Sequence, residues 1–205
     1  MAWINSDDLL HRGALNTVSE LFSSFPQVDW IQGLPSFFDE QGRIVQTGSL
    51  KKWSPFHFYL GDFRWIQQES SFWRRSLWDK AGGQVNRSLK YAGDFDLWLR
   101  FFRHASLYSC SALLGGFRLR KSGQLSQTHL REYLAEAKNL LDSELENLPE
   151  EKKRTLSRIR MKQGIHKTFE RFKIFNASGF YARVVQPEFR LPPAIFFDRA
   201  SQSFI

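Results

Sequence analysis

Three stretches of the chain combine residue types that can do chemistry. Asn5-Ser-Asp7-Asp8 sets two adjacent carboxylates directly after the apolar run Met1-Ala-Trp-Ile. Carboxylates just past the carboxyl end of a strand sit where open α/β sheets bind ligands, and hard oxygen donors there suit Mg2+ or Mn2+. The same pair also suits a helix cap ahead of Leu9-Leu10. The second stretch, Trp65-Ile-Gln-Gln68-Glu69-Ser-Ser-Phe-Trp73-Arg74-Arg75, crowds polar side chains against aromatic ones. Aromatic faces pack on sugar rings and guanidinium forks grip phosphate. Residue by residue, the reading of Trp73 and Trp78 as core and the arginines as surface is the favoured one. The third, Tyr91-Ala-Gly-Asp94-Phe-Asp96-Leu-Trp-Leu-Arg100, opens an apolar helix with two acids. A carboxylate at a helix N-terminus is held ionised, as a general base must be. The same acids also fit an N-cap at Asp94 and an i,i+4 partner for Arg100 at Asp96.

The elements that must position these groups follow from hydrophobic period. Residues 1–8 read as the end of a buried strand running into a polar turn. Gly13 to Ser24 carries Leu15, Val18, Leu21 and Phe22 at helical spacing. Val28 to Phe38, the turn Asp39-Glu-Gln-Gly42 and Arg43 to Gln46 predict a β-hairpin. Residues 47–62 read as a mobile loop with Lys51, Lys52 and Trp53. A short strand is expected over Phe63–Gln68, and a helix over Ser71–Lys80 stopped by Ala81-Gly-Gly83. A largely buried helix is expected from Asp94 to Arg103. Ala105 to Leu119 reads as a strand, with Gly115-Gly116 marking a bulge or a close backbone approach.

Beyond Ser126 the texture changes. Leu130, Tyr133, Leu134, Ala137, Leu141, Leu145 and Leu148 stripe a long charged helix. Pro149-Glu-Glu151 starts a second one, with Leu156, Ile159, Ile165, Phe169 and Phe172 expected inward. The residues from Asn176 show no period and read as an irregular tail.

Composition narrows the function classes. Hydrophobic residues make up 42% of the 205, enough to build a core, so whole-chain disorder is excluded. No segment approaches the roughly 18 to 20 apolar residues that span a bilayer, and residues 1–20 lack the layout of a signal peptide. The single cysteine, Cys110, rules out an internal disulfide and reads as a small buried residue. The net charge of +8 is uneven: −2 over residues 1–60, +6 over 61–127 and +4 over 128–205. A basic middle points to a diphosphate, a nucleic acid or an anionic membrane surface, or to a solvated basic face. No zinc, RRM or helix-turn-helix pattern accompanies the charge, so no nucleic-acid partner is expected.

Taken in order, Asn-Ser-Asp-Asp-Leu-Leu, Gly-Ala-Leu, Gln-Gln-Glu-Ser-Ser-Phe-Trp-Arg-Arg, Ala-Gly-Asp-Phe-Asp-Leu-Trp-Leu-Arg and Gly-Gly-Phe-Arg-Leu-Arg-Lys-Ser-Gly-Gln-Leu-Ser resemble family 2 glycosyltransferases over residues 1–126. The resemblance implies an α/β fold: a partial GT-A, Rossmann-like nucleotide-diphospho-sugar transferase domain that lacks its N-terminal βαβ units. Residues 127–175 then form a helical C-terminal extension and 176–205 a tail. Members of the family place a nucleotide-binding half ahead of the metal-binding strand, whereas here Met1 lies almost on that strand. A fragment, a partner chain that supplies the missing half, or a remnant are the alternatives.

By the same resemblance Asp7, with Asp8 beside it, would bind Mg2+ or Mn2+. Asp94 would be the general base that deprotonates an acceptor hydroxyl for inverting attack on the sugar of a nucleotide-sugar donor. Gln68, Glu69 and Arg74 would lie near acceptor and diphosphate, Arg118 and Arg120 near the leaving diphosphate, and Asp96 and Trp98 would be supports. Asn5 stands where many members have the first aspartate, Gly93 where many have Glu, and Arg120 where many have His. Glycan or lipid-linked acceptors, and a cytoplasmic place at the inner face of the membrane, are the implied setting. The alternative is a non-catalytic module that docks onto a partner or a membrane through Lys152, Lys153, Arg154, Arg158, Arg160 and Lys162.

Overall fold

Two short strands set the register of the core. The computed structural model describes residues 1–62, 65–121, 123–124, 128–173 and 177–205. In it β2 (Trp30–Gln32) pairs antiparallel with β5 (Ser71–Trp73), Trp30 opposite Trp73 and Ile31 opposite Phe72. Side chains alternate across a strand, so each face receives a matched pair. Ile31 and Phe72 face α1 (Ala14–Ser24), which buries Ala14, Val18 and Leu21 against them together with Val28, Cys110, Leu114 and Ile195. Trp30 and Trp73 face α4 (Gly93–Phe102). Trp30 stacks on Trp98 with centroids 5.2 Å apart and meets Phe101 and Phe102 edge-on. Aromatic pairs in such offset and edge-on poses add about 1 kcal/mol each beyond their burial. β6 (Tyr108–Ser109) completes this sheet by pairing parallel with β2.

A second, four-stranded sheet runs in the order β1-β7-β3-β4, from β1 (Leu9–Leu10), β3 (Ser36–Phe38), β4 (Ile44–Thr47) and β7 (Gly115–Arg118). β7 is antiparallel to β1 and parallel to β3, and β3 is antiparallel to β4. Both sheets are therefore open and mixed. A hairpin of β8 (Phe197–Asp198) and β9 (Ser203–Phe204) is tied in through Ile195, which bridges Cys110. With seven α-helices among the described residues the architecture is mixed α/β.

The chain divides into two compact units. Met1–Trp53, Trp65–Lys138 and Pro192–Ile205 form the first, and Ser54–Arg64 with Asn139–Leu191 the second. Residues 1–126 thus fall in the first unit except for 54–64, while 127–175 and 176–205 are each divided between the two. The second unit is helical: α2 (Pro55–Tyr59), the end of α5 (Leu130–Glu146), α6 (Glu150–Arg171), α7 (Ala177–Phe180), a π-helical turn at Tyr181–Val185 and a 3-10 turn at Gln186–Phe189. Phe56, Phe58, Tyr59, Leu141, Leu148, Leu156, Ile159, Val185 and Phe189 are its buried hydrophobics. No helix among the described residues is long and apolar enough to cross a membrane.

Several sequence expectations hold: α1, α4, α5, α6, the β3–β4 hairpin about Asp39–Gly42, and a buried Cys110 whose thiol is pushed up to about 11 by burial. Others are corrected. Residues 1–4 form no strand: they make one bridge, Ala2 to Phe72, and are largely exposed. The expected loop at 47–62 contains α2, capped by the Ser54 side chain and begun by Pro55, and Trp53 is buried. Phe63 and Arg64 of the strand expected at 63–68 lie outside the described residues, and 65–68 form no strand; Ser71–Trp73, expected to open a helix over 71–80, is the strand β5, and the helix is the short α3 (Arg75–Lys80). The run 105–119 breaks into β6 and β7, which join different sheets. The C-terminal residues are ordered into helical turns and a hairpin. Leu15, Ile165 and Phe172, expected inward, are exposed at 63%, 40% and 62%.

Gly115 and Gly116 carry the close approach that their pairing predicts. A Cβ on Gly115 would lie 2.0 Å from the Glu69 carbonyl oxygen, and one on Gly116 2.1 Å from the Phe38 ring. Both obstacles sit in packed surroundings, so the strain cannot be relieved by a free side chain. Gly115→Ala should cost about 2 to 3 kcal/mol or more of unfolding free energy in urea titrations; a neutral result would contradict this contact.

Candidate functional site

Four carboxylates come together electrostatically in the first unit. Asp7 and Asp8 occupy the turn before β1, Glu69 the 3-10 turn Gln68–Ser70 before β5, and Asp94 the first turn of α4. The negative charges of Asp8, Asp94 and Asp7 all bear on Glu69. The glycines of β7 make this possible, since only a strand without Cβ atoms at 115 can press against the backbone of Glu69.

Glu69 is 3% exposed, and its Oε1 has no hydrogen-bond partner among the described residues. Burial, opposed only in part by its own backbone N–H and reinforced by the neighbouring acids, raises its pKa to about 8. Asp94 is raised to about 6 by burial, against the Phe95 N–H at 2.8 Å and the Tyr133 hydroxyl, both of which donate to its carboxylate. At neutral pH the cluster thus holds one carboxylic acid and one carboxylate of moderate basicity, the pairing that separates proton donors from proton acceptors in a single site.

Asp8 is buried. Its Oδ1 accepts the Arg118 backbone N–H at 3.0 Å and its Oδ2 accepts Asn5 Nδ2 at 3.1 Å. Burial raises its pKa, and these two donors oppose the shift. An aspartate at position 5 would instead set a third negative charge against Asp8, which gives Asn5 a physical reason. Asp7 is paired with Arg120 Nη2 at 2.9 Å, both half-exposed. Gln68 Nε2 donates to the Trp3 carbonyl at 3.2 Å and to Asn5 Oδ1 at 3.4 Å.

The arginines divide by what they hold. Arg118 donates to the Asp7 carbonyl at 2.7 Å and to the Asp39 and Glu40 carbonyls at 3.0 and 3.3 Å, so its guanidinium fastens the Asp7–Asp8 turn to the hairpin turn. Arg74 donates to the carbonyls of Val28, Phe22 and Phe25 at 2.9, 2.5 and 3.2 Å, lies over the Phe22 ring and sits 3.6 Å from Asp29. These contacts bind the α1–β2 connection and involve none of the four carboxylates. Arg120 alone of the three makes a side-chain ion pair with one of the four carboxylates, while the Arg118 charge acts on Asp8 without such a pair. Asp96 makes the expected i,i+4 pair with Arg100, at 2.8 Å, and Arg100 also holds the carbonyls of Ala81 and Gln84. A cavity of about 580 Å3 beside that pair, lined in part by Val85, Arg87, Asp96 and Arg100, includes none of Asp7, Asp8, Glu69 or Asp94.

Two further residues set the surroundings of Asp94 and were not picked out from the sequence, and both lie on α5. The Tyr133 hydroxyl donates to Asp94, and its ring packs 5.0 Å from that of Trp65, which is 53% exposed. Burial and the Asp94 charge push the Tyr133 hydroxyl well above the usual phenol range. The Glu136 carboxylate accepts the backbone N–H groups of Lys90, Tyr91 and Ala92 at 3.1, 2.9 and 2.8 Å, the turn that leads into α4. Burial works against its charge, but the three donors outweigh it and hold its pKa below the usual value. His129 stacks on Tyr91 at 4.8 Å. Positions 133 and 136 are three apart and so share a helix face, the only trace of this arrangement in the sequence.

The donor set as built does not fit a divalent cation. Both Asp8 oxygens are engaged by N–H donors, Asp7 is neutralised by Arg120, and no group of three His, Cys, Asp or Glu side chains among the described residues is placed to hold a metal. A cation at Asp7 has to displace Arg120. Of the family-like run 115–126, Ser122, Leu125 and Ser126 lie outside the described residues. No family model matches the chain, and no curated protein matches it either.

Glu69 and Asp94 give the stability a definite pH dependence. Their pKa values are higher folded than unfolded, so the native state binds more protons and stability falls as pH rises, from about 4 to 6 for Asp94 and from about 4.5 to 8 for Glu69. Glu69→Gln should remove the second part, leaving unfolding free energy nearly flat between pH 6 and 8 where the parent loses roughly a few kcal/mol. Urea titrations across that range check it. Tyr133→Phe removes a bond that lowers the Asp94 pKa, so a carbon-13 titration of the Asp94 carboxyl should move upward from about 6.

Proposed function

We propose that the chain acts in sugar transfer from a nucleotide-sugar donor, as a family 2, GT-A type glycosyltransferase, with the carboxylate cluster as its acceptor side. Asp94 takes the proton of the acceptor hydroxyl. That oxygen forms a bond to the anomeric carbon while the bond from carbon to the diphosphate oxygen breaks, and the nucleoside diphosphate leaves with the electron pair. The single observation that carries this reading is the state of Asp94: in the first turn of a buried helix, with a pKa of about 6, it is ionised at neutral pH yet basic enough to accept a proton. Glu69, neutral at the same pH, is suited to hydrogen-bond an acceptor oxygen. Arg120 is the cation available to a departing diphosphate, since Arg118 and Arg74 are spent on backbone carbonyls. Trp65 offers an exposed ring beside Tyr133 for a sugar face. Because the carboxylates as arranged do not fit a metal, no step is routed through Mg2+ or Mn2+.

A second reading, a non-catalytic docking module, is favoured by the same arginines: two of the three expected to meet diphosphate are committed to holding the fold together.

Calorimetry with UDP, GDP and CDP, each with and without Mn2+, separates the two. Binding of any of them supports the transferase, and no binding under all six conditions overturns it for this chain. In a transfer assay with the preferred nucleotide's sugar, Asp94→Asn should lower turnover by about 10²- to 10⁴-fold, with nucleotide affinity unchanged. Undiminished turnover would remove Asp94 from the base role.

A further inference from the structure

A divalent cation needs oxygen lone pairs turned toward it, and in the turn before β1 those oxygens face N–H donors instead. Asp7 Oδ2 lies 2.9 Å from Arg120 Nη2. The Asp7 carbonyl accepts Arg118 Nε at 2.7 Å. Asp8 Oδ1 accepts the Arg118 backbone N–H at 3.0 Å, and Asp8 Oδ2 accepts Asn5 Nδ2 at 3.1 Å. Asn5 Oδ1 accepts Gln68 Nε2 at 3.4 Å, and the Asn5 carbonyl accepts the Asp8 N–H at 3.2 Å. A cation entering this turn has to break several of these contacts together, and it meets two guanidinium groups of its own sign.

The balance of charge points the same way. A divalent metal beside a diphosphate supplies two positive charges and no protons. Arg118, at the end of β7, and Arg120, just beyond it, supply as many. The Arg118 charge bears on Asp8 while its N–H groups hold the Asp7 and Asp39 carbonyls, so it is a fixed cation. The Arg120 side chain is 43% exposed, and among the described residues Asp7 is its one partner, so its remaining N–H groups are open to a ligand. A planar guanidinium fork matches phosphate oxygens and is weakly hydrated, which favours diphosphate over water.

We propose that Arg120, backed by the fixed charge of Arg118, stands in for the divalent cation, so that this chain binds a nucleoside diphosphate without metal. The inference rests on the transfer reading for its ligand. Asp7 then has a role opposite in sign to that of a metal ligand. It holds Arg120 in place until the diphosphate arrives, and it competes with the diphosphate for the guanidinium. Asn5 belongs to the same arrangement, since its amide donates to Asp8 where a second carboxylate would attract a metal.

The experiment is calorimetry of the full chain with UDP, GDP and CDP, each in EDTA and in Mn2+. The nucleotide that binds is expected to bind as tightly in EDTA as in Mn2+. Arg120→Gln should weaken that binding by at least about tenfold, the loss expected for a charge-assisted contact. Asp7→Asn removes the competitor and keeps the guanidinium, so it should tighten binding by about two- to fivefold, the strength of a part-exposed ion pair. Loss of a metal ligand would weaken it instead. Mn2+ alone, followed by electron paramagnetic resonance, should give the same signal with the parent chain and with Asp7→Asn. Both side chains are part-exposed, and unchanged thermal melting verifies that the variants fold. Binding that requires Mn2+, binding that falls on Asp7→Asn, binding unaffected by Arg120→Gln, or a Mn2+ signal that depends on Asp7 each overturns the proposal and leaves the transfer reading standing. Absence of binding for all three nucleotides in both media overturns the transfer reading and this inference with it.

Discussion

The backbone of β7 lies against the backbone of Glu69, and most of the candidate site depends on that contact. A methyl group at Gly115 would meet the Glu69 carbonyl at 2.0 Å, so the approach is available to glycine alone. It brings the turn that carries Glu69 under the sheet and removes its carboxyl from water. It also fixes the start of β7, three residues before Arg118, whose N–H reaches the buried Asp8. One backbone contact thereby decides both the burial of one acid and the hydrogen bonding of another. Ser36 adds to the same junction: its hydroxyl donates to the Gly115 carbonyl and meets His11 Nε2 at 2.8 Å.

Around this contact the molecule keeps several like charges close, and each is stabilised differently. Asp8 is held by two donors, Asp7 by Arg120, Asp94 by the Phe95 N–H and the Tyr133 hydroxyl, and Glu69 by keeping its proton. Desolvation is the largest cause of the shifts at Asp8, Glu69 and Asp94. α5 takes part in this arrangement. Glu136 satisfies the three N–H groups that precede α4, and in doing so it sets Tyr133, one helical turn earlier, onto Asp94. The first turns of α5, expected as part of a helical extension, thus belong with the carboxylates of the first unit.

What could be read directly from the residues is what local rules govern. The period of Val18 and Leu21 specifies α1, the all-round apolar run from Phe95 to Phe102 specifies a buried α4, and Asp39–Gly42 specifies a hairpin turn. The Asp96–Arg100 pair follows from i,i+4 spacing, and the close approach at Gly115-Gly116 from two adjacent glycines in an apolar stretch. The strand assignments near 63–73 and 105–119 went astray because short apolar runs do not say which sheet they join. β6 and β7 are six residues apart and enter different sheets. Ile165 and Phe172, expected inward with Leu156 and Ile159, fall on the opposite side of α6 at about 100° per residue, and they are exposed.

The sequence by itself determined where α1, α4, α5 and α6 run, which acids open α4, and that the chain is basic in its middle and along α6. Tertiary structure alone decided the state of the charged groups. Arg74 and Arg118 read as phosphate ligands by residue type, yet packing supplied them with backbone carbonyls first. Asp8 and Arg118 lie 110 positions apart, and Glu69 meets Gly115 across 46. Such partners are chosen by how strands and helices stack, and a carboxyl group's proton affinity follows from the burial and neighbours that this stacking creates.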